Sequence, residues 1–266
     1  MTAPTRSLIA AATVAALFAS QAHAQAFGFY RSPVLPGMTQ GGSAGLAVLA
    51  SRQYQGSDES RTLLVPTFDY QWANGVFVGV GNGLGINWSR SPERSYGLRL
   101  TADFGRDDKR SVALAGMGDI RTRPEIGGFA NFRVADGWEV ASSIRYGAGN
   151  DRKGLVVDLG LNMSHALSPS LRLNAGVATA WANRALTQSY FGVNTQQAAN
   201  SGYAVFSPSA GLRDVRVGVA LNYTIAPNWS LTGGLSLNRL LGDAKDSPIV
   251  RDRSSISGVV STSYRF

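Results

Sequence analysis

Apolar and polar side chains alternate with period two over most of the chain, the pattern of strands whose two faces meet different media. The last segment is the clearest: Ile256, Gly258, Val260, Thr262, Tyr264 and Phe266 share one face. Ser255, Ser257, Ser261, Ser263 and Arg265 share the other, and only Val259 breaks the rule. Val215, Val217, Val219, Leu221, Tyr223 and Ile225 likewise oppose Arg216, Gly218, Ala220, Asn222 and Thr224. After the tight turn Ala226-Pro227-Asn228, Trp229, Leu231, Gly233, Leu235 and Leu237 oppose Ser230, Thr232, Gly234, Ser236 and Asn238, so the two runs form a hairpin. Two further hairpins follow the same logic: 155–163 with 171–181 across Ser168-Pro169-Ser170, and 125–134 with 138–147 across Ala135-Asp136-Gly137.

The pattern predicts twelve strands, at roughly 42–52, 62–72, 76–81, 84–89, 96–105, 123–133, 138–147, 154–167, 171–182, 211–225, 229–240 and 254–266. Tight connections (73–75, 90–95, 135–137, 168–170, 226–228) alternate with longer polar ones (53–61, 106–122, 148–153, 183–208, 241–253). A soluble β-sandwich would also alternate apolar and polar residues, but that asymmetry of its loops is the mark of a transmembrane antiparallel up-and-down β-barrel with short turns inside and long loops outside. Both chain ends then lie on one side, which forces an even number of strands. The third and fourth are short and meet at Gly81-Asn82-Gly83; if they were one strand the count would move, and ten is the alternative. Trp72, Trp88, Trp138, Trp181, Trp229, Tyr146 and Tyr223 fall near strand boundaries, where rings sit at the headgroup level.

The N-terminus is different in kind. Arg6, the apolar run Leu8 to Phe18 and the small-residue site Ala22-His23-Ala24 read as an export signal over residues 1–24, cleaved between Ala24 and Gln25. Its apolar run is too short to cross a bilayer as a helix, which takes about 20 residues. Residues 25–41, with Pro33 and Pro36 and no clear period, read as a periplasmic arm, and 42–266 as the barrel in the outer membrane of a Gram-negative bacterium. Composition narrows the chemistry. The chain has no cysteine, which removes disulfide scaffolds, thiolate nucleophiles and Cys-based metal sites. Loss of Arg6 takes the net charge from +8 to +7, and the surplus is scattered singly rather than in runs, which does not suit a nucleic-acid partner.

Candidate chemistry is sparse. Val78 to Gly85 is glycine-rich but does not match the dinucleotide-binding spacing and reads as a tight hairpin. His165 is the one histidine left after the leader, so a Ser-His-Asp hydrolase would have to be built on it, and its expected face is the outward one. No catalytic, cofactor or metal residues are expected, and the chain reads as a non-enzyme. Five charged residues are expected to point into the lumen: Glu139, Arg145, Asp158, Arg172 and Arg216. Paired, they would plug it; unpaired, they would bias a passive pore toward small anions. In the long loop 183–208, Gln188 to Val193 and Gln196 to Ala199 predict a short helical turn packed by aromatics.

Several landmarks carry a resemblance: Gly83-Leu84-Gly85; Gly118-Asp119-Ile120 followed by Glu125; Tyr190-Phe191-Gly192-Val193 with Ser201-Gly202; Arg239 to Ile249, which includes Gly242-Asp243 and Ser247-Pro248-Ile249; and the ending Tyr264-Arg265-Phe266. In this order they resemble the MltA-interacting protein/OmpV family of outer-membrane proteins, with Met117 where Leu is expected. The resemblance implies a barrel that in some members joins a lytic murein transglycosylase to a murein synthase, and in others is a surface protein linked to adhesion or antibiotic response. It implies no catalytic residue. Tyr264 and terminal Phe266 fit the aromatic signal that barrel-assembly machinery reads, so the expected partners are that machinery, outer-membrane lipid and the two murein enzymes.

Overall fold

The computed structural model describes residues 40–266. Twelve strands run β1 (Gly41–Arg52), β2 (Ser60–Gln71), β3 (Val76–Gly79), β4 (Gly83–Asn87), β5 (Arg94–Asp103), β6 (Arg123–Ala135), β7 (Trp138–Ala148), β8 (Gly154–Ala166), β9 (Leu171–Ala182), β10 (Gly211–Ala226), β11 (Trp229–Leu240) and β12 (Ser254–Arg265). Each pairs antiparallel with its sequence neighbours, and β1 pairs with β12 to close the ring. Twelve strands rather than ten are present, because the short third and fourth are separate and turn at Val80 to Asn82. Gly83 carries the positive φ (+76°) that this turn needs and a side chain would resist.

The two faces separate as the period-two pattern requires. Leu46, Val48, Leu64, Leu98, Leu159, Val217, Leu221, Leu235, Ile256 and Val260 are exposed on the outside, while Ala47, Leu49, Val65, Arg99, Glu125, Asp158, Arg216 and Ser236 point inward. An apolar belt this continuous has hydrocarbon as its solvent. Val259, the exception to the alternation, packs inside against Ala47, Leu49 and Val65, so one wall of the interior is apolar. The aromatic positions all lie exposed near strand ends. Trp72, Trp88, Trp138, Trp229 and Tyr223 gather at the end carrying the short turns, and Tyr146 and Trp181 at the other.

Closure at the β1–β12 seam depends on close backbone approach. Gly42 and Phe266 exchange both backbone hydrogen bonds (3.0 and 3.1 Å), and a Cβ on Gly45 would lie 1.9 Å from the Thr262 carbonyl oxygen.

The wall is not of even height. A crossing strand needs about 9–11 residues, and β3 and β4 have four and five. β2 meets β3 only through Asp69 to Gln71, extended by the bond from Val80 N–H to Phe68 O. Among the described residues, Ser60 to Thr67 therefore has a partner strand on one edge alone. Phe68 directs its carbonyl to the β3 side, so Pro66, two residues away, directs its missing N–H to that same open edge, the position where proline costs a sheet least.

At the long-loop end the connections fold over the interior. The β9–β10 connection forms α1 (Arg184–Phe191) and α2 (Thr195–Ser201), each started by an asparagine cap, Asn183 and Asn194. Tyr54, Leu114, Met117, Val193 and Ile249, drawn from four different connections, bury one another, and Leu186 packs on Val156 and Ala182.

Candidate functional site

The interior is crossed by one connected set of charges. Arg145 on β7 donates from Nη2 to Asp158 on β8 at 2.9 Å and from Nη1 to Glu125 on β6 at 3.3 Å. Arg216 on β10 donates from Nη2 to the other Asp158 oxygen at 2.8 Å. Its Nε lies 3.0 Å from Asp214 Oδ1, near enough to pair electrostatically though the N–H is off line, and Arg213 Nε donates to Asp214 Oδ2 at 2.7 Å. The alternation explains the set. Asp214 and Arg216 are two apart on one strand and share its inner face, while register brings Gly127 opposite Arg145, leaving room for the guanidinium to reach Glu125. Thr101 Oγ1 also donates to Glu125, at 3.3 Å, and Ser143 Oγ to Asp158, at 3.3 Å. Glu125 is 2 % exposed and Asp214 fully buried, so the set holds only because each carboxylate has a cation against it.

Above this network, toward the long loops, lies a cavity of about 90 Å³. Its roof includes α1, from which Tyr190 donates to Asp103, and Asp103 also accepts from Gly149 N–H at 2.9 Å. Burial and the Asp103 carboxylate hold the Tyr190 phenol well above its ordinary range. Arg106 enters from the β5–β6 connection, where its backbone bridges to Ile120, and donates from Nη1 to the Tyr190 carbonyl at 2.7 Å. Burial pulls the Arg106 guanidinium down to about 10, still charged at neutral pH. Tyr54 donates to Ile249 O at 2.7 Å, and burial, with help from Tyr203, pushes its hydroxyl up to about 12.

Of the five charges expected in the lumen, three meet: Arg145, Asp158 and Arg216. Glu139 and Arg172 do not join them. Glu139 sits near the short-turn end opposite Arg133 and Asn162, and Arg172, exposed at the same end, donates to Ser164 Oγ at 3.3 Å. Glu125, Asp214, Arg213, Arg99, Arg106 and Asp103 complete the interior without having been singled out by the pattern. Arg99 was findable, since it alternates with inward Ser95 and Gly97; it is 6 % exposed and stacks over Phe129 at 5.7 Å. Arg106 was not, because it lies in a connection that has no period.

Other groups are less organised. His165 lies exposed on the outward face of β8, opposite Leu173. Asp107, Asp108 and Asp119 bring carboxylate oxygens within 4.8 Å of one another, but Asp107 caps Lys109 N–H and Asp119 accepts from Asp108 N–H, so backbone N–H groups of the same connection already engage two of them. Tyr264 packs on Trp229 with ring centroids 5.2 Å apart, and Phe266 stacks on Tyr70 at 6.0 Å, both at the short-turn end of the seam. The expected leader, its Ala24–Gln25 cleavage site and residues 25–39 of the arm lie outside the described residues.

Solved structures of similar shape are membrane β-barrels. A KdgM porin aligns at 13 % identity and TM-score 0.43, covering 84 % of this chain and 99 % of that one. The CymD monoaromatic hydrocarbon channel aligns at 11 % and 0.43, covering 91 % and 93 %. The Pseudomonas putida toluene transporter TodX aligns at 9 % and 0.41, covering 92 % and 95 %. No curated protein matches the sequence at a significant level. The family profile described as MltA-interacting protein MipA matches residues 44–266, nearly the whole barrel, and the chain belongs to that family.

Proposed function

We propose that this barrel is a non-enzymatic scaffold of the Gram-negative outer membrane that anchors peptidoglycan-remodelling enzymes, rather than a conduit. One observation carries the reading: the Glu125–Arg145–Asp158–Arg216–Asp214 chain ties β6, β7, β8 and β10 together across the interior, beneath connections that bury Phe191, Val193 and Ile249. Charges used in this way stiffen a platform and leave little reason for an open path. The family's name, which refers to interaction with the murein transglycosylase MltA, supports a partner of that class, with a murein synthase as the second guest. The short-turn end then faces the periplasm, where such partners work. Tyr264 and Phe266, at the final strand's end, suit the signal for barrel-assembly machinery, and residues 1–24 suit the export signal removed at Ala24–Gln25.

The test is capture from envelope extracts. The tagged barrel should enrich a lytic murein transglycosylase over an unrelated twelve-stranded barrel, and equal recovery on both would refute the scaffold. A second reading, a passive pore for small anions, draws on the arginine surplus inside the barrel. Planar-bilayer recording separates the two: the scaffold predicts no steady channel events, and the pore predicts anion-selective steps that change in Arg216→Gln.

A further inference from the structure

We infer that the capped interior holds a binding site for a multi-oxygen anion of the phosphate or sulfate kind, in the cavity above the charge network. The inference is independent of the scaffold reading. Five guanidinium groups line that cavity, from Arg106, Arg110, Arg145, Arg213 and Arg216, against three carboxylates, from Asp103, Glu125 and Asp214. All three carboxylates are already engaged: Asp103 by Tyr190 and Gly149, Glu125 by Arg145 and Thr101, Asp214 by Arg213 and Arg216. Asp158, the network acid that does not line the cavity, is divided between Arg145 and Arg216, and Arg99 adds another buried cation. Positive charge is therefore in excess by two, whether or not Asp158 and Arg99 are included.

The excess is localised at Arg106. Its side chain is 95 % buried, since the residue is only 5 % exposed, and among the described residues it forms no ion pair within 4.0 Å. Among the described residues its side chain makes one hydrogen bond, to a neutral carbonyl, and its Nε has no acceptor. Arg110, one turn further along the same connection, also lines the cavity and forms no ion pair among the described residues. A buried cation left without a counter-charge is costly in a protein interior, and the guanidinium fork is the group best shaped to hold a planar or tetrahedral oxyanion. The volume suffices for a few waters or one small anion, since liquid water takes about 30 Å³ per molecule. Phosphate of two sources shares this chemistry, a free ion or a lipid headgroup. The lining comes from inward-facing strand positions and from the cap, which favours the free ion.

Thermal unfolding of the refolded full barrel in zwitterionic detergent is the test, with inorganic phosphate titrated against chloride at matched ionic strength. Phosphate at a hundredfold excess over its Kd should raise the midpoint by roughly 5–10 °C. Arg106→Gln and Arg110→Gln should each weaken the apparent affinity at least tenfold, while Arg121→Gln, an exposed cation in the same connection, should leave it unchanged. In phosphate-free buffer Arg106→Gln should melt no lower than the parent, because it removes an uncompensated charge. Equal shifts from phosphate and chloride, undiminished binding by both variants, or stabilisation only by micelles doped with short-chain phosphatidate would overturn the site. Should neither variant fold, phosphorus NMR on the parent decides, and absence of line broadening by the barrel refutes the proposal.

Discussion

Asp158 is the joint of the interior network, and Asp158→Asn tests whether the network holds the barrel wall. The carboxylate receives Arg145 on one oxygen at 2.9 Å and Arg216 on the other at 2.8 Å. Asparagine keeps the shape, but it turns an amide N–H₂ toward one of these guanidinium groups and removes the negative charge from both. Breaking a buried ion pair by loss of one partner costs about 3–5 kcal/mol. The Asp158 side chain retains 20 % exposure, so water screens part of the effect and the lower end, about 3 kcal/mol, is the expected loss. For a chain of this size that corresponds to a midpoint lower by roughly 6–12 °C. The assay is the temperature at which the compact folded band converts to the unfolded band on a detergent gel, with tryptophan fluorescence in urea as the second probe. Adding Arg216→Gln should recover at least half of the loss, because it removes one stranded cation while Asp214 keeps Arg213 at 2.7 Å. A single variant within about 0.5 kcal/mol of the parent would be ordinary surface behaviour and would refute the reasoning, as would a double variant that loses the sum of the two singles.

Three further outcomes are expected. Gly45→Val should cost about 1–3 kcal/mol as an overpacked contact, because its Cβ meets the immovable Thr262 carbonyl at 1.9 Å; unchanged heat-modifiability would contradict that. Tyr54→Phe should be less stable by about 1 kcal/mol near pH 8, for the lost bond to Ile249. The native hydroxyl titrates near 12 and the unfolded one near 10, so the parent's advantage is complete below pH 10 and disappears as pH rises toward 12; a gap that stays constant across that range would rule this out. Arg106, lowered to about 10, makes its own contribution of opposite sign in both proteins and cancels in the difference. Finally, Phe266→Ser should lower assembly in cells while leaving refolding in detergent nearly intact, since the seam bonds to Gly42 are made by backbone; parallel losses in both assays would assign the ring a merely structural role.

The barrel was legible because its rule is local. Any strand whose neighbours are lipid and lumen must alternate, and each tight turn names itself through Gly, Pro, Asn or Asp, so twelve strand positions follow from reading the chain one residue at a time. The β3–β4 hairpin shows the limit of that rule. Gly81-Asn82-Gly83 announces the turn, but nothing local says that two strands of four and five residues stand beside neighbours of twelve and ten, so that among the described residues part of β2 is paired on one edge alone. Only Pro66, a residue at odds with the middle of a fully paired strand, hints at it.

The interior was legible in part, for a reason that separates two kinds of charge. Arg145, Asp158 and Arg216 sit in well-alternating strands, so their inward direction can be read; which of them meet depends on register across three successive strand pairings, a non-local quantity. Glu139 and Arg172 obey the same alternation yet stand near the short-turn end, where each finds polar neighbours and has no need of the network. Arg106 obeys no alternation. It reaches the interior through its backbone bridge to Ile120, in a connection whose Leu114 and Met117 are themselves buried. Among the described residues no acid lies within ion-pair distance of this buried cation, and its bond to the neutral Tyr190 carbonyl brings no opposite charge; an anion supplied from solution is the missing half of the pair.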